Sequence, residues 1–298
     1  MDFKRLFLGP TVVEFAWIWR EDLVHGDASR YRLKSDIKTY IEPFWDGKRV
    51  KRVTREDINN YCIFLNSLKN QKNKRPLSPY TIITALTHLR AIFNYAIKNG
   101  MIKQNPMQGI NFKKPLSIVK YFNHEQVEIL LHAIYPTDYH KLAVYLALCT
   151  GMRRGEIIAL EWEDIDLDKR LLYIRRSVNV IQGTKYPKLP KSGKERVAII
   201  NRELEEILRL NFMGKGLVVP LMPWQITGWF PHFAEKLGLP KLSFHTLRKT
   251  FGTLLLQSGV DIKTVSVLLG HSNISITSQS YIGVSQKKLQ EAVNSLFK

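Results

Sequence analysis

The sequence predicts a mainly α-helical protein with a small antiparallel β-sheet, folded as two domains. Its 298 residues suit two domains of about 100 to 200 residues each. Helix start and stop signals mark most of the chain, whereas the β-branched and aromatic runs that are separated by turn-rich stretches lie within residues 171–200. With 45% hydrophobic and 24% charged residues, the composition is that of an ordinary globular protein.

The first half of the chain is predicted to be helical, and the evidence lies at the ends of its segments. Thr54 is followed three residues later by Asp57, which resembles a capping box. Ser78 and Pro79 supply an N-cap and a first-turn proline, and Gly100 stands where a C-cap is expected. The predicted helices are residues 11–24, 29–44, 54–70 and 78–99.

The fourth predicted helix has two different faces. One face carries apolar side chains at spacings of four, three, four and four residues, namely Ile82, Leu86, Leu89, Phe93 and Ile97. The opposite side is expected to meet solvent or a groove, and it carries Thr84, His88, Arg90 and Asn94. This pattern predicts an amphipathic helix with its apolar face buried.

The second half is predicted to alternate helices with one short strand region. Helices are expected at residues 123–134, 138–150, 154–161, 202–211, 224–237, 245–258, 262–269, 276–281 and 286–297. Strands are expected at residues 171–174, 178–181 and 196–200, where β-branched and aromatic residues alternate with turn-rich stretches.

Proline, glycine and basic residues between positions 105 and 117 break any helical period. We therefore predict an N-terminal helical domain at residues 1–108, a linker at 109–119 and a second domain at 120–298.

Charge points to a nucleic-acid partner. Lys and Arg number 45 against 26 Asp and Glu, which gives a net charge of +19 and a pI near 9.8. Residues 1–115 hold 21 basic against 10 acidic residues, and residues 116–298 hold 24 against 16. Two basic domains joined by a basic linker can surround a duplex from two sides.

Several other classes are disfavoured. The first nine residues lack the apolar core of a secretion signal, and no stretch approaches the length of a membrane span. Cys62 and Cys149 are too few for a disulfide framework or a cysteine zinc site, so we expect a cytoplasmic protein.

No cofactor or metal is predicted. Phosphate-binding glycine loops and the zinc-protease histidine pair do not occur in the sequence. Asp164, Asp166 and Asp168 begin like a calcium loop, but lysine and arginine follow where glycine and glutamate are required. His124 and the histidines eight and sixteen residues after it drift around a helix, so they do not suit a metal site.

The chemistry-bearing residues are concentrated in five stretches of the second half. They are residues 150–156 (TGMRRGE), 191–196 (KSGKER), 245–248 (HTLR), 269–272 (LGHS) and 277–281 (TSQSY). Two guanidinium groups, Arg153 and Arg248, can each hold phosphate oxygens with paired hydrogen bonds. His245 lies three residues before Arg248 on a predicted helix, so both side chains can reach the same phosphate.

These stretches resemble, in order and spacing, the motifs of the tyrosine recombinases, the phage-integrase-type enzymes of site-specific DNA recombination. The match is specific for residues 120–298, while residues 10–108 resemble the helical core-binding domain of that family more loosely. The resemblance implies a SAM-like core-binding domain followed by a mixed α/β catalytic domain.

The resemblance also implies a role for each motif residue. Tyr281 becomes the nucleophile, Arg153 and Arg248 the phosphate clamp, and His245 and His271 hydrogen-bonding or proton-handling partners. Lys191 becomes the general acid, because Ser192 and Arg196 follow it at the family's spacing; Lys188 and Lys194 stay as alternatives. Glu156 is expected to support Arg153 from behind.

The implied reaction breaks and rejoins DNA through a 3′-phosphotyrosyl bond, without metal or ATP. The family acts as a tetramer on two duplex sites, and residues 286–298 resemble its C-terminal docking helix, which could equally pack on its own domain. A monomeric free state, DNA-bending accessory proteins and nucleoid association fit this picture but have no separate sequence signal.

We favour integration or excision of a mobile element or phage, with Xer-type resolution as the alternative. Residues 1–9 are too short for the arm-binding domain of many phage integrases. A topoisomerase IB-like enzyme and an inactive DNA-binding regulator are less favoured, since all six motif residues are present.

Overall fold

A computed structural model describes residues 9–23, 27–70, 74–112, 120–133, 138–181, 183–189 and 195–270. The chain divides into two compact units, Met1–Ser117 and Ile118–Lys298. Each unit has its own hydrophobic core. Helices and short antiparallel strands make up the regular structure, so the predicted fold class is confirmed.

The first unit is entirely helical in its described elements. Its helices are α1 (Val12–Asp22), α2 (Asp27–Asp36), a π-helical turn (Ile37–Ile41), α3 (Glu42–Trp45), a 3-10 turn (Val50–Arg52), α4 (Arg55–Ser67) and α5 (Pro79–Lys98). Thr54 and Asp57 form the predicted capping box, and the Ser78 hydroxyl accepts a hydrogen bond from the Thr81 amide. The helix predicted at 29–44 is present, and the π-helical turn lies inside it without interrupting the helical backbone.

Aromatic side chains fill the core of this unit. Trp45 is fully buried and meets Phe93 edge-on, with ring centroids 6.3 Å apart. Tyr61 packs beside Trp45 at 5.3 Å, and its hydroxyl donates to the Tyr40 carbonyl at 3.0 Å. Large aromatic surfaces removed from water give a small helical unit most of its cohesion.

The exposed face expected on α5 is only partly exposed. His88 is partly buried, with its Nδ1 3.6 Å from Asp36 Oδ2, and burial lowers its pKa. Arg90 lies over the Phe112 ring at 4.7 Å and donates to the Ile110 carbonyl. Ile97, predicted on the buried face, is 37% exposed because α5 reaches its end there.

The second unit wraps helices around α7. Its helices are α6 (His124–His132), α7 (Tyr139–Thr150), α8 (Arg154–Ile157), a 3-10 turn (Trp162–Asp164), α9 (Arg202–Leu210), α10 (Pro223–Lys236), α11 (His245–Gln257) and α12 (Ile262–Leu269). Helix α7 packs against α9, α10 and α11, and nearly every side chain from Leu142 to Thr150 is buried. The predicted helix at 154–161 is shorter than expected, because the chain turns after α8.

The strands form two separate antiparallel pieces where one sheet was predicted. They are β1 (Ile165–Asp166), β2 (Leu171–Ile174), β3 (Ser177–Ile181), β4 (Thr184–Lys188) and β5 (Arg196–Ile199). One sheet has the order β1-β2-β5, with Leu172 opposite Ala198, and the other is the β3-β4 hairpin. Strands β1 and β4 were not predicted, since one has two residues and the other contains lysine and proline.

Some expectations fall beyond these elements. The helices predicted at 276–281 and 286–297 lie outside the described residues. Within the part of the chain that the structure describes, no helix is long and apolar enough to cross a membrane.

Candidate active site

The structure describes three of the six predicted site residues. Arg153 immediately precedes α8, and His245 and Arg248 lie in the first turn of α11. Lys191, His271 and Tyr281 lie outside the described residues, as does Lys194. Lys188 ends β4, but its side chain is not described.

The turn before Arg153 is tightly packed against two helices. Gly151 ends α7 with φ +63°, a left-handed conformation that glycine adopts without strain. A β-carbon at this residue would stand 2.6 Å from Phe251 Cδ1 and 2.8 Å from Leu269 Cδ2. The first glycine of the TGMRRGE stretch therefore lets α7 turn into α8 directly against α11 and α12.

Glu156 holds Arg153 from behind, as predicted from the sequence. Its carboxylate accepts hydrogen bonds from the Arg153 amide and from Arg153 Nη1, both at 2.8 Å. It also pairs with Arg196 Nη2 at 2.7 Å. Burial alone would raise the pKa of this carboxyl, but the Arg196 charge and the Arg153 hydrogen bonds outweigh burial and lower it. Glu156 is therefore a buried anion held between two cations.

Arg248 is almost completely buried, with 4% of its surface exposed. Its Nη1 donates to the Gly151 carbonyl and its Nη2 to the Leu269 carbonyl, each at 2.5 Å. Burial, and then the charges of Arg153 and Arg196, lower its pKa to about 9. The guanidinium is still protonated at neutral pH, so it supplies a fixed buried charge.

Three arginines hold three successive carbonyl groups at the end of α12. Arg196 Nη1 donates to Leu268 at 3.1 Å, and Arg153 Nη2 donates to Gly270 at 3.1 Å. Arg248 binds the carbonyl between these two. Carbonyls at a helix C-terminus carry partial negative charge and attract cations. We call Arg153, Arg196, Arg248 and Glu156 the arginine cluster.

His245 lies near the cluster's positive charge. Partial burial lowers the pKa of its imidazole, and the charges of Arg248, Lys249 and Arg153 lower it further. The neutral ring predominates at pH 7, so one ring nitrogen can accept a hydrogen bond or a proton and the other can donate.

Sequence reasoning missed Arg196 as a member of this site. The position of Arg196 in the KSGKER stretch was used only to assign Lys191, among three lysines, as the general acid. Arginine is seldom buried, so an arginine at the start of a short strand is predicted to lie at the surface. The sequence holds no local signal for this role, because Glu156, the carboxylate that Arg196 shares with Arg153, lies forty residues away.

The geometry suits the binding of an anionic group. Arg153 keeps 21% of its side chain exposed, and a guanidinium has five N–H donors, more than its contacts here use. Two guanidinium groups at one turn, with a neutral imidazole on the first turn of α11, form a cationic arrangement that suits the oxygens of a phosphate group.

Comparison with known proteins gives the family. The Phage integrase family matches residues 120–288, and the Phage integrase SAM-like domain matches residues 13–114. The chain belongs to the phage integrase family. The prediction of a tyrosine recombinase, a site-specific DNA breakage and rejoining enzyme, is confirmed.

Individual relatives agree with this assignment. A "Tyrosine recombinase XerC-like" protein of Caldanaerobacter subterraneus subsp. tengcongensis is 29% identical over 76% of this chain and 68% of its own. A "Tyrosine recombinase" of Thermosipho africanus is 25% identical over 91% and 94%.

Two solved structures share the fold. The Tn1549 transposon integrase, bound to a circular intermediate DNA, has a TM-score of 0.76 and 19% identity over 96% of this chain and 99% of its own. A lambda integrase dimer on a core site has a TM-score of 0.65 and 18% identity over 90% and 97%.

Proposed function

We propose that this chain cuts and rejoins double-stranded DNA at specific sites, with Tyr281 as the nucleophile. One observation carries the proposal. Arg153 and Arg248, far apart in sequence, donate to the adjacent carbonyls of Gly270 and Leu269. Both guanidinium groups therefore meet at one turn, and that turn leads directly to His271. Two guanidinium groups at one place can bind the oxygens of a single phosphate.

Charge stabilisation is the main task of the described residues. A phosphoryl group under attack carries negative charge on its non-bridging oxygens, and donors fixed in place stabilise that charge best. Arg153 is fixed by Glu156, and Arg248 is fixed by two carbonyl groups. His245, held neutral by its surroundings, is placed to donate to a phosphate oxygen or to accept a proton.

The covalent steps involve residues outside the described part of the chain. The Tyr281 hydroxyl passes its proton to an imidazole, that of His271 or His245, and its oxygen attacks phosphorus, which forms a 3′-phosphotyrosyl ester and breaks the bond from phosphorus to the 5′ oxygen. The leaving 5′ oxygen takes a proton from Lys191, with Lys188 and Lys194 as alternatives. A 5′-hydroxyl from another strand then reverses both steps, so the ester keeps the bond energy and no ATP is consumed.

The proposed assembly is a tetramer on two DNA sites, with residues 286–298 as its docking helix. The net charge of +19 supports a DNA partner. Solved lambda integrase complexes include a dimer bound to a core site and a tetramer bound to a Holliday junction. These are properties of lambda integrase, and they support the same arrangement here.

We favour integration or excision of a mobile element over resolution of joined replicons. The match of residues 120–288 to the Phage integrase family supports this choice. The names of several relatives, XerC and XerD, support resolution as the second candidate. The two candidates differ in the DNA molecules that they join. Resolution recombines two sites on one DNA molecule, whereas integration joins sites on two different DNA molecules.

Covalent capture tests the chemistry. The protein is incubated with fragmented genomic DNA, denatured, and the DNA linked to it is recovered and sequenced beside a Tyr281→Phe control. We expect one short, partly palindromic site, enriched in the wild type and lost in the control. Adducts that persist in Tyr281→Phe would overturn the assignment of the nucleophile.

The captured site then separates the candidate functions. Two copies are placed either on one plasmid or on two plasmids, and the products are counted by sequencing across the junctions. Products from two plasmids favour integration, and products from one plasmid alone fit either resolution or excision. Relaxed supercoils without exchanged strands would instead identify a topoisomerase.

A further inference from the structure

We propose that Arg196 is a positioning residue of this active site, fixing Arg153 through Glu156 and fixing the end of α12 through Leu268. The inference rests on the proposed function and adds to it a residue for which no role in the reaction has been given. Three observations carry it: the two contacts of its guanidinium, the packing of Gly270 against its side chain, and its place in the chain.

The guanidinium of Arg196 joins two parts of the site that are distant in sequence. Nη2 pairs with Glu156 Oε2 at 2.7 Å, and Nη1 donates to the Leu268 carbonyl at 3.1 Å. The side chain is only 5% exposed. Because the same Glu156 oxygen accepts the Arg153 amide, a shift of Arg196 is transmitted to the backbone of Arg153.

Gly270 is packed directly on the Arg196 side chain. A β-carbon at residue 270 would stand 2.3 Å from Arg196 Cδ and 2.6 Å from Nε. Gly270 has φ +61°, so it ends α12 in a left-handed turn immediately before His271. The Arg196 side chain therefore determines how closely this turn approaches Arg153 and Arg248.

Arg196 also lies at a junction of the chain. It begins β5 and pairs with Ile174 of β2, so its backbone belongs to the sheet. Lys191, the proposed general acid, lies five residues earlier. One side chain thus connects the stretch that contains Lys191, the stretch that contains Arg153 and the turn that precedes His271.

The arrangement requires arginine in particular. A planar guanidinium can bind a carboxylate and a carbonyl at once in fixed directions, whereas a lysine ammonium is a single compact charge. Stability alone does not call for the pair, since a buried ion pair is often no more stabilising than apolar residues of the same size. A positioning role explains why the buried side chain at residue 196 is a charged guanidinium.

The test measures DNA cleavage and DNA binding separately in the full chain. The substrate is the captured site with a nick that traps the phosphotyrosyl adduct, and the variants are Arg196→Met, Arg196→Lys and the double variant Glu156→Gln with Arg196→Met. Arg202→Met, an exposed arginine at the start of α9, is the matched control. Single-turnover adduct formation gives the rate, titration with labelled DNA gives the Kd, and thermal unfolding gives the Tm.

We expect Arg196→Met to slow adduct formation by about 100-fold, the loss that a misplacement of about 1 Å can cause. The Kd should stay within about threefold, because most DNA affinity comes from many phosphate contacts elsewhere. Arg196→Lys should lie between Arg196→Met and the wild type. The double variant also takes the carboxylate away from Arg153, so it should cleave more slowly than Arg196→Met.

Two results would overturn the inference. One is an Arg196→Met protein that cleaves like Arg202→Met. The other is a loss of rate that disappears when cleavage is measured well below the Tm of Arg196→Met, as a purely structural pair would behave. Failure of the proposed function looks different, because the wild type itself would then form no adduct; that result overturns both proposals at once.

Discussion

Gly270 lies so close to Arg196 that a β-carbon at residue 270 would stand 2.3 Å from Arg196 Cδ. Gly270→Ala should therefore lower the free energy of unfolding through two separate effects. The left-handed conformation costs a residue with a β-carbon roughly 1–2 kcal/mol, and the contact with Arg196 adds about 1–3 kcal/mol of overpacking. Denaturant unfolding measures the sum, and adduct formation should fall as the turn moves away.

A matched glycine separates the two costs. Gly259 also follows a helix, with φ +82°, but nothing lies within 4 Å of the position a β-carbon would take. Gly259→Ala should lose only the conformational part. Equal losses of unfolding free energy in the two variants would show that the Arg196 side chain moves aside at little cost and does not fix the turn.

The glycine of α8 should tolerate alanine less well than a glycine in an open helix. A β-carbon at Gly155 would stand 2.7 Å from Ser177 Oγ and 2.8 Å from the Val178 carbonyl of β3. At Gly228, inside α10, the same atom meets nothing within 4 Å. We expect Gly228→Ala to stabilise the protein by roughly 0.5–1 kcal/mol and Gly155→Ala to destabilise it by about 1–3 kcal/mol. Thermal unfolding measures both, and a stable Gly155→Ala protein would contradict the close packing of α8 on β3.

Replacing Arg248 with lysine should slow DNA cleavage strongly with little effect on DNA binding. The lysine ammonium cannot reach both the Gly151 and Leu269 carbonyls and still present a donor to phosphate. Loss of one fixed donor to a transition-state oxygen costs about 100-fold to 1,000-fold in rate. Single-turnover cleavage of Arg248→Lys, with Arg202→Lys as the control, measures this loss. A change below threefold would remove Arg248 from the proposed clamp.

The pKa of His245 makes stability fall in acid. Burial and the nearby cations lower this pKa below its ordinary value of 6.5. The unfolded chain therefore binds the proton more tightly than the folded chain does. The free energy of unfolding is highest above pH 6.5, where His245 is neutral in both states, and it decreases as pH falls through the lowered pKa. His245→Gln should show a shallower decline of Tm between pH 7.5 and 5 than the wild type. Exposed His232→Gln serves as the control, and matching profiles for all three proteins would count against the assignment.

Local signals predicted the elements well. Strand β2 and helix α12 have the predicted bounds, and the caps at Thr54 and Ser78 lie where the sequence placed them. Caps and apolar spacing act over three or four residues, so a single stretch of sequence contains the whole interaction.

Contacts between distant residues were harder to predict. Nothing near Arg196 in the sequence indicates that it pairs with Glu156, forty residues away. His88 was expected on an exposed face, yet Asp36 lies 3.6 Å from it because α5 packs beside the π-helical turn. The motifs named Arg153, His245 and Arg248, but only the folded chain shows that carbonyl groups hold two of them.

The same long-range contacts give the site an order of assembly. Arg248 binds a carbonyl 97 residues earlier, and Arg153 binds one 117 residues later. Contacts between residues so far apart form slowly, because a long loop must close before they contribute. During synthesis, Arg153 emerges long before the end of α12, so its carbonyl partner does not yet exist. A growing or truncated chain that stops before residue 268 lacks the Leu269 and Gly270 carbonyl groups, so Arg153 and Arg248 are not yet brought together at one turn.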